Sequence, residues 1–324
     1  MENISKDDLD VMVVTYNRAE LLRIQLESLC LQTVRGLNII IVDNASTDNT
    51  RDVVEQMRNS HPEHTIRLER ASRHSDSNAE SFRRTQQLAE RPYVAVFHDD
   101  DVIHPQYIEK VLSVLTRVRG VVGVSCNYKS MFCCDGANWT AVGDRCWAYP
   151  QHLAPYLYLA GGRFCFAAMV YRTDVYKQLE IAPERYGKLF DHAMLLSLSQ
   201  KGIVVKFRDP MIRYRLHAGS DSSNLNNAPT VENLVNLLSF AQNVLNHAGW
   251  PRFFSKCHVY EYGREIFKWS KLAHVSWNQF RVKCADAKVS SDLFSRCYKI
   301  AIVRRVMRHL VKGCDRLLLR TLRK

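Results

Sequence analysis

The sequence predicts an α/β fold in which helices cover both faces of a mostly parallel β-sheet. Short apolar runs alternate with amphipathic stretches over the first 125 residues, and this alternation is typical of parallel sheets. Three of the runs, VMVV, NIIIV and YVAVF, are apolar almost throughout, as strands buried on both faces should be. From about Val231 onward the pattern becomes helical, which predicts a C-terminal helical extension that follows the sheet domain in the sequence.

The predicted elements of the first part follow one another in regular order. Strands are expected at Leu9–Val14, Leu37–Val42, Thr65–Leu68, Tyr93–Phe97 and Val121–Ser125. Helices are expected at Arg18–Leu31, Asn49–Asn59, Asn78–Ala89 and from Pro105 to about Arg117. Asp48 and Thr50 are candidate caps of the second helix, and Pro105 suits the first turn of the fourth. Since ligands of parallel sheets bind beyond the carboxyl ends of the strands, we expect the functional site just after Val14, Val42 and Phe97.

The pattern beyond residue 125 is less regular. Residues 126–160 have no clean period and predict a loop-rich insert. Further strands are expected at Phe164–Tyr171, Ile203–Phe207 and Ile212–Leu216, and a helix at Asp191–Lys201 that ends at Gly202. The polar stretch Asn224–Thr230 has the composition of a turn. It predicts a boundary between a sheet domain at residues 1–224 and a basic helical region at residues 225–324.

Composition and charge exclude several classes of protein. A hydrophobic content of 46% excludes a disordered chain, and 324 residues fit one large domain with an appendage. The formal charge is +12, yet residues 1–224 hold 27 basic and 27 acidic side chains. Residues 225–324 hold 18 basic and 6 acidic side chains and carry the whole excess. A neutral body argues against a nucleic-acid-binding core, and we expect no nucleic-acid partner.

The first residues and the cysteines indicate a cytoplasmic protein. MENISKDDLD lacks the layout of a signal peptide, and no apolar run approaches the length of a membrane-spanning helix. The ten cysteines form no Cys-x-x-Cys pair, which makes a zinc ribbon or a thioredoxin-like motif a poor fit. Reduced thiols are therefore expected. The alternative is a disulfide or metal site that involves Cys133, Cys134 and Cys146.

Polar segments follow three of the predicted strands: TYNR at 15–18, DNASTD at 43–48 and HDDD at 98–101. Three adjacent carboxylates repel one another, and their exposure at the end of a buried strand is costly unless a cation compensates them. Oxygen clusters of this kind, completed by substrate phosphates, typically hold Mg²⁺ or Mn²⁺. The alternative is a solvated acidic turn or a helix N-terminus, because a helix is expected from Pro105.

The order of these segments resembles the GT-A glycosyltransferases of family 2. The resemblance continues through GGRF at 161–164 to Tyr171-Arg172, and through FDH at 190–192 with the leucines and glycine behind it. It closes with YRLH at 214–217 and Ser220. Each match is weak by itself, but six in the same order over about residues 9–223 are specific. The resemblance therefore implies a GT-A fold with a C-terminal helical extension.

The resemblance also implies a role for each matching residue. The nucleotide-sugar pocket would be lined by Thr15, Tyr16, Asn17, Arg18, Asp43, Asn44, Asp48, Asn78, Arg84, Asp99 and Asp100, with Asp43 hydrogen-bonded to the base. A divalent ion, Mn²⁺ or Mg²⁺, would be held by Asp99, Asp100, Asp101 and His217. Asp191 would be the general base. The plainer alternatives are that Asn17 and Asp43 form turns, that His217 is a surface histidine, and that Asp191 only supplies charge to its helix.

The sequence departs from the family pattern at three places. His98 stands where the family usually has an aspartate, and Phe190 stands where it usually has a glutamate before Asp191. The donor-binding stretch retains Asn78 and Arg84 but lacks the usual glycine and second asparagine. These departures bear on which aspartates act and on the identity of the donor sugar.

The resemblance implies a metal-dependent, inverting glycosyltransferase with a nucleotide-sugar donor, for which a UDP-sugar is favoured. The expected acceptor is a lipid-linked oligosaccharide in the biosynthesis of a surface polysaccharide such as O-antigen or capsule. One alternative is a non-catalytic protein of the same fold that binds a saccharide or a partner. A nucleotidyltransferase is a further alternative, although Thr15–Glu20 contains no glycine for a phosphate loop. A polyanion-binding protein is disfavoured by the neutral body.

The last 26 residues, 299–324, predict an amphipathic helix with a basic face. They hold nine Lys and Arg residues and one acidic residue, and basic residues recur every four positions from Arg304 to Arg320. A helix of this kind is typical of a segment that lies on an anionic membrane surface. We therefore expect peripheral association with the inner face of the cytoplasmic membrane. The alternative is that its leucine face packs on the protein or on a second subunit, so the oligomeric state stays open.

Overall fold

The computed structural model describes residues 3–132, 138–159, 161, 164–217, 229–247, 259, 262–263 and 277–286. The chain divides into two compact units. The first unit comprises residues 1–147, 164–179 and 204–220, and the second comprises residues 148–163, 180–203 and 221–324. The predicted boundary at residue 224 and the amphipathic tail at 299–324 lie outside the described residues, so both stay predictions.

The described strands and helices alternate through the first half of the chain. The strands are β1 (Leu9–Thr15), β2 (Asn38–Asp43), β3 (Thr65–Arg70), β4 (Tyr93–His98), β5 (Val102–Ile103), β6 (Val121–Met131), β7 (Cys146–Tyr149), β8 (Ala168–Arg172) and β9 (Ile203–Arg215). The helices are α1 (Ala19–Cys30), α2 (Thr50–Ser60), α3 (Asn78–Leu88), α4 (Tyr107–Arg117), α5 (Ala154–Leu159), α6 (Thr173–Tyr176), α7 (Pro183–Tyr186), α8 (Phe190–Leu198), α9 (Val231–His247) and α10 (Trp277–Asp286). The elements expected before residue 125 are all present, each within a few residues of its predicted bounds.

The strands form one sheet in the order β3-β2-β1-β4-β8-β6-β9-β5, and β7 pairs with β9. The pairs β3–β2, β2–β1 and β1–β4 are parallel, whereas β8 is antiparallel to both β4 and β6. Within the parallel part, Thr15 is in register with Asp43, and Val14 with His98. The carboxyl ends of β1, β2 and β4 therefore lie side by side. The predicted α/β fold is confirmed.

The centre of the sheet explains why its strands are apolar. Val11, Met12 and Val13 are fully buried, as are Ile39, Ile40 and Ile41, so successive side chains on both faces of β1 and β2 are covered. The covering helices are amphipathic. In α4 the buried residues Tyr107, Ile108, Val111 and Leu115 recur at helical spacing. The Tyr107 hydroxyl donates to the carbonyl oxygen of Ala168 at 2.7 Å, which satisfies its polar group in the core.

The structure differs from the sequence prediction in two segments. The two strands expected at 203–207 and 212–216 are one strand, β9, which runs through Pro210. Proline has no backbone N–H, so a strand can contain a proline at a position where this N–H is not needed for pairing with a neighbouring strand. The insert expected to be loop-rich contains the second half of β6, the strand β7 and the helix α5. Partner strands, which single-sequence patterns do not reveal, impose order there.

In the second unit, α7, α8 and α9 pack together, and α9 buries Leu234, Leu238, Ala241 and Leu245. The hydroxyl oxygens of Tyr158 and Tyr262 lie 3.1 and 2.9 Å from Nδ1 of His192. The expected helices beyond Val231 are present where the chain is described. Of the helices in the described ranges, none is long and apolar enough to cross a bilayer.

Candidate active site

The candidate site lies where β1 and β4 end beside each other. The hydroxyl of Thr15, the last residue of β1, donates to Oδ2 of Asp99 at 2.7 Å. Asp99 directly follows β4, and both residues are buried. The register of the parallel strands thus joins the first and third polar segments of the sequence.

Side chains from two directions contact the three adjacent aspartates, Asp99–Asp101. Nη1 of Arg18 lies 3.2 Å from Oδ1 of Asp99 and 3.2 Å from Oδ2 of Asp100. Nε2 of His217 lies 3.0 Å from the same Oδ2 of Asp100. Arg215 donates through its backbone N–H to Oδ1 of Asp101 at 2.9 Å, and through Nε to the carbonyl oxygen of Asp100 at 2.7 Å.

Strand β9 explains how residues so distant in sequence reach the aspartates. β5 follows the aspartates directly and pairs antiparallel with β9, with Val102 opposite Arg213. The end of β9 therefore runs back past the aspartates and carries Arg215 and His217 to them. His217 was predicted to approach this cluster, whereas Arg215 was not predicted. Only its place in the closing YRLH segment pointed to it.

Burial makes the negative charge of this cluster costly. It raises the pKa of Asp99 to about 6, against the lowering effect of Arg18, and Asp100 raises it further. Burial also raises the pKa of Asp101 well above its usual value, and the neighbouring Asp100 adds to this effect. Within the described residues, Oδ2 of Asp101 is buried and accepts no hydrogen bond. A buried carboxylate oxygen without a donor is suited to a bound cation.

One group of side chains in the described part of the chain has the spacing of a metal site. His98, Asp100 and Asp101 each offer a ligand atom, and these atoms all lie within 4.8 Å of one another. This donor set, together with the open oxygen of Asp101, fits a divalent ion. The sequence singled out the three aspartates and His217 as ligands, and noted His98 only as a departure from the family. Its position one residue before the aspartates was the available signal.

The segment after β2 is folded by its own polar side chains. Oδ1 of Asp43 accepts from the N–H of Ser46 at 3.0 Å, and Oδ2 lies 3.6 Å from Nε of Arg70. Asn17 has a positive φ of 49°, and its side-chain oxygen accepts from the N–H of Thr47 at 2.7 Å. Asp43 and Asn17 thus hold the turns together, as the plainer alternative expected. Their contacts with a nucleotide stay predictions.

Asp48 connects the starts of two helices. Its Oδ2 accepts from the N–H of Ala19, the first residue of α1, at 2.9 Å. Its Oδ1 accepts from the N–H and the hydroxyl of Thr50, the first residue of α2, at 3.1 and 2.6 Å. Partial burial raises the pKa of Asp48, but these hydrogen bonds outweigh it and lower the pKa. The N-cap of α2 is Asn49, so the prediction that Asp48 or Thr50 caps this helix is wrong. Asp48 instead accepts from the first N–H groups of both α1 and α2.

Asn44 fixes a second loop at this edge. Its amide donates to the carbonyl oxygen of Ser75 at 2.8 Å, and its side-chain oxygen accepts from the N–H of Ser75 at 3.0 Å. The ring of Tyr16 stacks on the ring of His74, with centroids 3.9 Å apart and an angle of 14° between planes. Nothing in the sequence pattern singled out His74.

The remaining predicted donor residues lie on α3. Asn78 is the first residue of this helix. Arg84 donates to the carbonyl oxygen of Asp43 at 2.9 Å and to that of Glu69 at 3.2 Å. Its guanidinium thus ties α3 to the ends of β2 and β3. A direct contact of either residue with the donor stays a prediction.

Asp191, the predicted base, belongs to the second unit. It lies in the first turn of α8, and its Oδ1 accepts from the N–H of His192 at 2.7 Å. This hydrogen bond fixes the orientation of the carboxylate and fits both the role of a base and the plainer role of a helix-start charge. Its catalytic role stays a prediction.

The sequence profile described as Glycosyl transferase family 2 matches residues 10–178, just over half of the chain. The chain belongs to this family. The match spans β1 to β4, the aspartates at 99–101 and β8, whereas Asp191, Arg215 and His217 lie beyond it. The predicted membership of glycosyltransferase family 2 is therefore confirmed, and with it the assignment of the protein as a glycosyltransferase.

Two curated relatives are also glycosyltransferases, and one solved structure shares the fold. The chain is 24% identical over 219 residues to an uncharacterised glycosyltransferase of Nostoc sp., covering 66% of each protein. It is 30% identical over 110 residues to the uncharacterised glycosyltransferase YibD of Escherichia coli, covering 34% of this chain and 31% of YibD. The chain thus spans less than two-thirds of each relative. The crystal structure of S. aureus TarS 1-349 superposes with a TM-score of 0.65 at 16% identity, covering 97% of this chain and 89% of TarS, and shows the GT-A fold.

Proposed function

We propose that this family 2 protein is a metal-dependent, inverting glycosyltransferase that transfers a sugar from a nucleotide-sugar donor to a saccharide acceptor. The observation that carries the proposal is the buried cluster of Asp99, Asp100 and Asp101 at the carboxyl end of the parallel sheet. It is contacted by Arg18 and His217 and retains one carboxylate oxygen without a donor. A divalent ion would supply the positive charge that such a cluster lacks and would also offset the negative charge of a donor diphosphate.

The residues around the cluster have separable tasks. In this proposal Asp100, Asp101 and either His98 or His217 would hold the ion, which would supply Lewis-acid stabilisation of charge on the leaving diphosphate. Arg18 contacts Asp100 beside His217, and its guanidinium is partly exposed, so it is able to turn to a donor phosphate. Thr15 holds the carboxylate of Asp99 in place for a donor hydroxyl.

Transfer also needs an acceptor hydroxyl that loses its proton. We assign this role to Asp191, whose carboxylate is oriented by the N–H of His192. The acceptor oxygen attacks the anomeric carbon from the face opposite the leaving diphosphate, the new glycosidic bond forms as the bond to phosphate breaks, and the proton passes to the carboxylate. One base suffices for this single displacement, which inverts the anomeric centre.

A UDP-sugar is the first donor to test. TarS, which shares the fold, has been crystallised with UDP-GlcNAc. The stacked rings of Tyr16 and His74 lie in loops at the same sheet edge as the aspartates and offer an aromatic surface for a base. The departures at His98 and on α3 leave the sugar itself to experiment.

The acceptor proposed is a lipid-linked oligosaccharide in the assembly of a surface polysaccharide. Support comes from the basic amphipathic sequence at 299–324, which would hold the enzyme at the anionic inner face of the cytoplasmic membrane, where such an acceptor resides. A cytoplasmic enzyme that associates peripherally with the membrane is the arrangement we propose.

The decisive experiment is a screen of UDP-, GDP- and dTDP-sugars for release of nucleoside diphosphate with and without Mn²⁺ or Mg²⁺. Metal-dependent release by the wild type, lost in Asp100→Asn, supports the proposal. Release of inorganic pyrophosphate from a sugar phosphate and a nucleoside triphosphate would instead identify a nucleotidyltransferase.

A second candidate is a non-catalytic saccharide- or partner-binding protein of the same family. It is favoured by Phe190 in place of the usual glutamate, and by Arg84, whose guanidinium is engaged with two backbone carbonyls. Calorimetry distinguishes the two candidates. Metal-dependent nucleotide binding without turnover on any donor in the screen would select the second.

A further inference from the structure

The metal-binding group in the candidate site contains a nitrogen ligand. The ligand atoms of His98, Asp100 and Asp101 lie within 4.8 Å of one another. Two ligands on opposite sides of an ion at about 2.1 Å are about 4.2 Å apart. Adjacent ligands of the same ion are about 3.0 Å apart, so the ligand atoms would have to move together by up to about 1.8 Å, through rotation of the aspartate side chains.

Aromatic packing restrains the His98 ring. Its centroid lies 5.7 Å from that of Phe82 on α3 and 5.9 Å from that of Phe166, both in edge-to-face geometry. Phe82 and Phe166 also contact each other, with centroids 4.8 Å apart. A ring held between two packed aromatics loses little further freedom when it binds an ion, so the ligand is largely pre-organised.

The charges around the group favour a neutral third ligand. Oδ2 of Asp100 already contacts Arg18 and His217, and Oδ1 of Asp101 accepts from the N–H of Arg215. A further carboxylate at position 98 would add a fourth negative charge to three buried ones. An imidazole completes the set without that repulsion and with a different affinity for metals.

We infer that His98 is a direct ligand of the divalent ion and that it makes this site select first-row transition ions, such as Mn²⁺ or Co²⁺, over Mg²⁺. The inference rests on the proposed metal-dependent function and adds to it a specific ligand and a metal preference. Mg²⁺ prefers oxygen ligands and near-ideal octahedral geometry, whereas the first-row transition ions from Mn²⁺ onward also accept an imidazole nitrogen, with an affinity that rises along the series.

Electron spin echo spectroscopy of Mn²⁺ bound to the full-length protein with UDP tests the ligand directly. Histidine nitrogen bound to Mn²⁺ modulates the echo, and selective ¹⁵N-histidine labelling changes that modulation. We expect a histidine signal in the wild type that persists in His217→Asn and disappears in His98→Asp. His61→Asn, at the far end of α2, is the matched control and should behave as wild type.

Competition measures the preference. The signal of free Mn²⁺ reports its displacement by Mg²⁺. The Mg²⁺ concentration needed for half displacement should be at least about tenfold lower in His98→Asp than in the wild type. Two results would overturn the inference and leave the proposed function standing. One is bound Mn²⁺ without a histidine signal in the labelled wild type; the other is a histidine signal that is lost in His217→Asn and kept in His98→Asp. If the wild type binds no Mn²⁺ with or without UDP, the metal-dependent function fails as well. If His98→Asp does not fold, the labelled His217→Asn variant still separates the two histidines, because a histidine signal that persists there supports His98 and its loss overturns the inference.

Discussion

Replacement of Arg18 by glutamine should weaken the fold and at the same time strengthen the binding of a cation. In the structure Arg18 holds two carboxylates, Asp99 and Asp100, each through a contact of 3.2 Å. Both carboxylates are buried, whereas the Arg18 side chain is 28% exposed. Loss of the guanidinium leaves adjacent negative charges in a poorly solvated site with less compensation.

The magnitude follows from these contacts. A hydrogen bond to a charged group contributes about 1.5–3 kcal/mol, and loss of one partner of a buried ion pair costs about 3–5 kcal/mol. The distances are long and the guanidinium is partly solvated, so the lower part of the range applies. We expect the free energy of unfolding to fall by about 1–3 kcal/mol at low salt. Because a divalent ion neutralises the same carboxylates, Mn²⁺ should restore more stability to Arg18→Gln than to the wild type.

Urea unfolding with and without Mn²⁺ measures both effects, and Arg23→Gln is the matched control. Arg23 lies in α1, five residues after Arg18, and pairs with the exposed Glu20 and Glu27. The free energy of unfolding should therefore change by no more than about 0.5 kcal/mol in Arg23→Gln. Equal stabilisation by Mn²⁺ in Arg18→Gln and the wild type would refute the reasoning, since Arg18 and the ion would then not share ligands.

Four further predictions test the site, the tail and the core. Asp100→Ala should abolish Mn²⁺-dependent UDP binding in calorimetry, and unchanged binding in a folded variant would refute the metal assignment. Asp191→Asn should keep nucleotide affinity and lose turnover by about 10²–10⁴-fold, so wild-type turnover would move the base elsewhere. Deletion of 299–324 should abolish salt-sensitive sedimentation with anionic vesicles and spare transfer to a soluble acceptor, whereas unfolding or dimer loss would make the tail a packing surface. Burial raises the pKa of Cys126 well above its usual value and that of Cys165 to about 12, so native protein at pH 8 should label at neither thiol with iodoacetamide, and fast labelling of either would contradict their burial.

The parallel half of the fold was predictable because its signals are local. Continuous apolar runs mark β1, β2 and β4, and the parallel register then brings Thr15 beside Asp99 without further information. The second half was less predictable because its order depends on partners. Two strands were predicted at 203–207 and 212–216, and only the pairing with neighbouring strands shows that they form one continuous strand, β9.

The candidate site was predictable where residue type alone indicates the chemistry. Adjacent aspartates at a strand end point to a cation, but the contact of Arg215 with two of them depends on the pairing of β5 with β9. Arg84 shows the opposite limit. Its spacing matched a donor-binding motif, while the structure shows hydrogen bonds that join α3 to two strand ends. A sequence pattern does not separate a residue that binds a ligand from one that supports the loops around it.

The two-sided hydrogen bonding of Asp48 has a consequence for mutational scans of this protein. One carboxylate accepts from the first residues of both α1 and α2, so a substitution there should disturb two helix starts at once. Activity would fall through the loss of folded protein, and position 48 would score as severely as the aspartates at 99–101. A scan that records abundance beside activity would tell them apart: variants of Asp48 should lose both together, whereas variants of Asp100 should remain abundant and inactive.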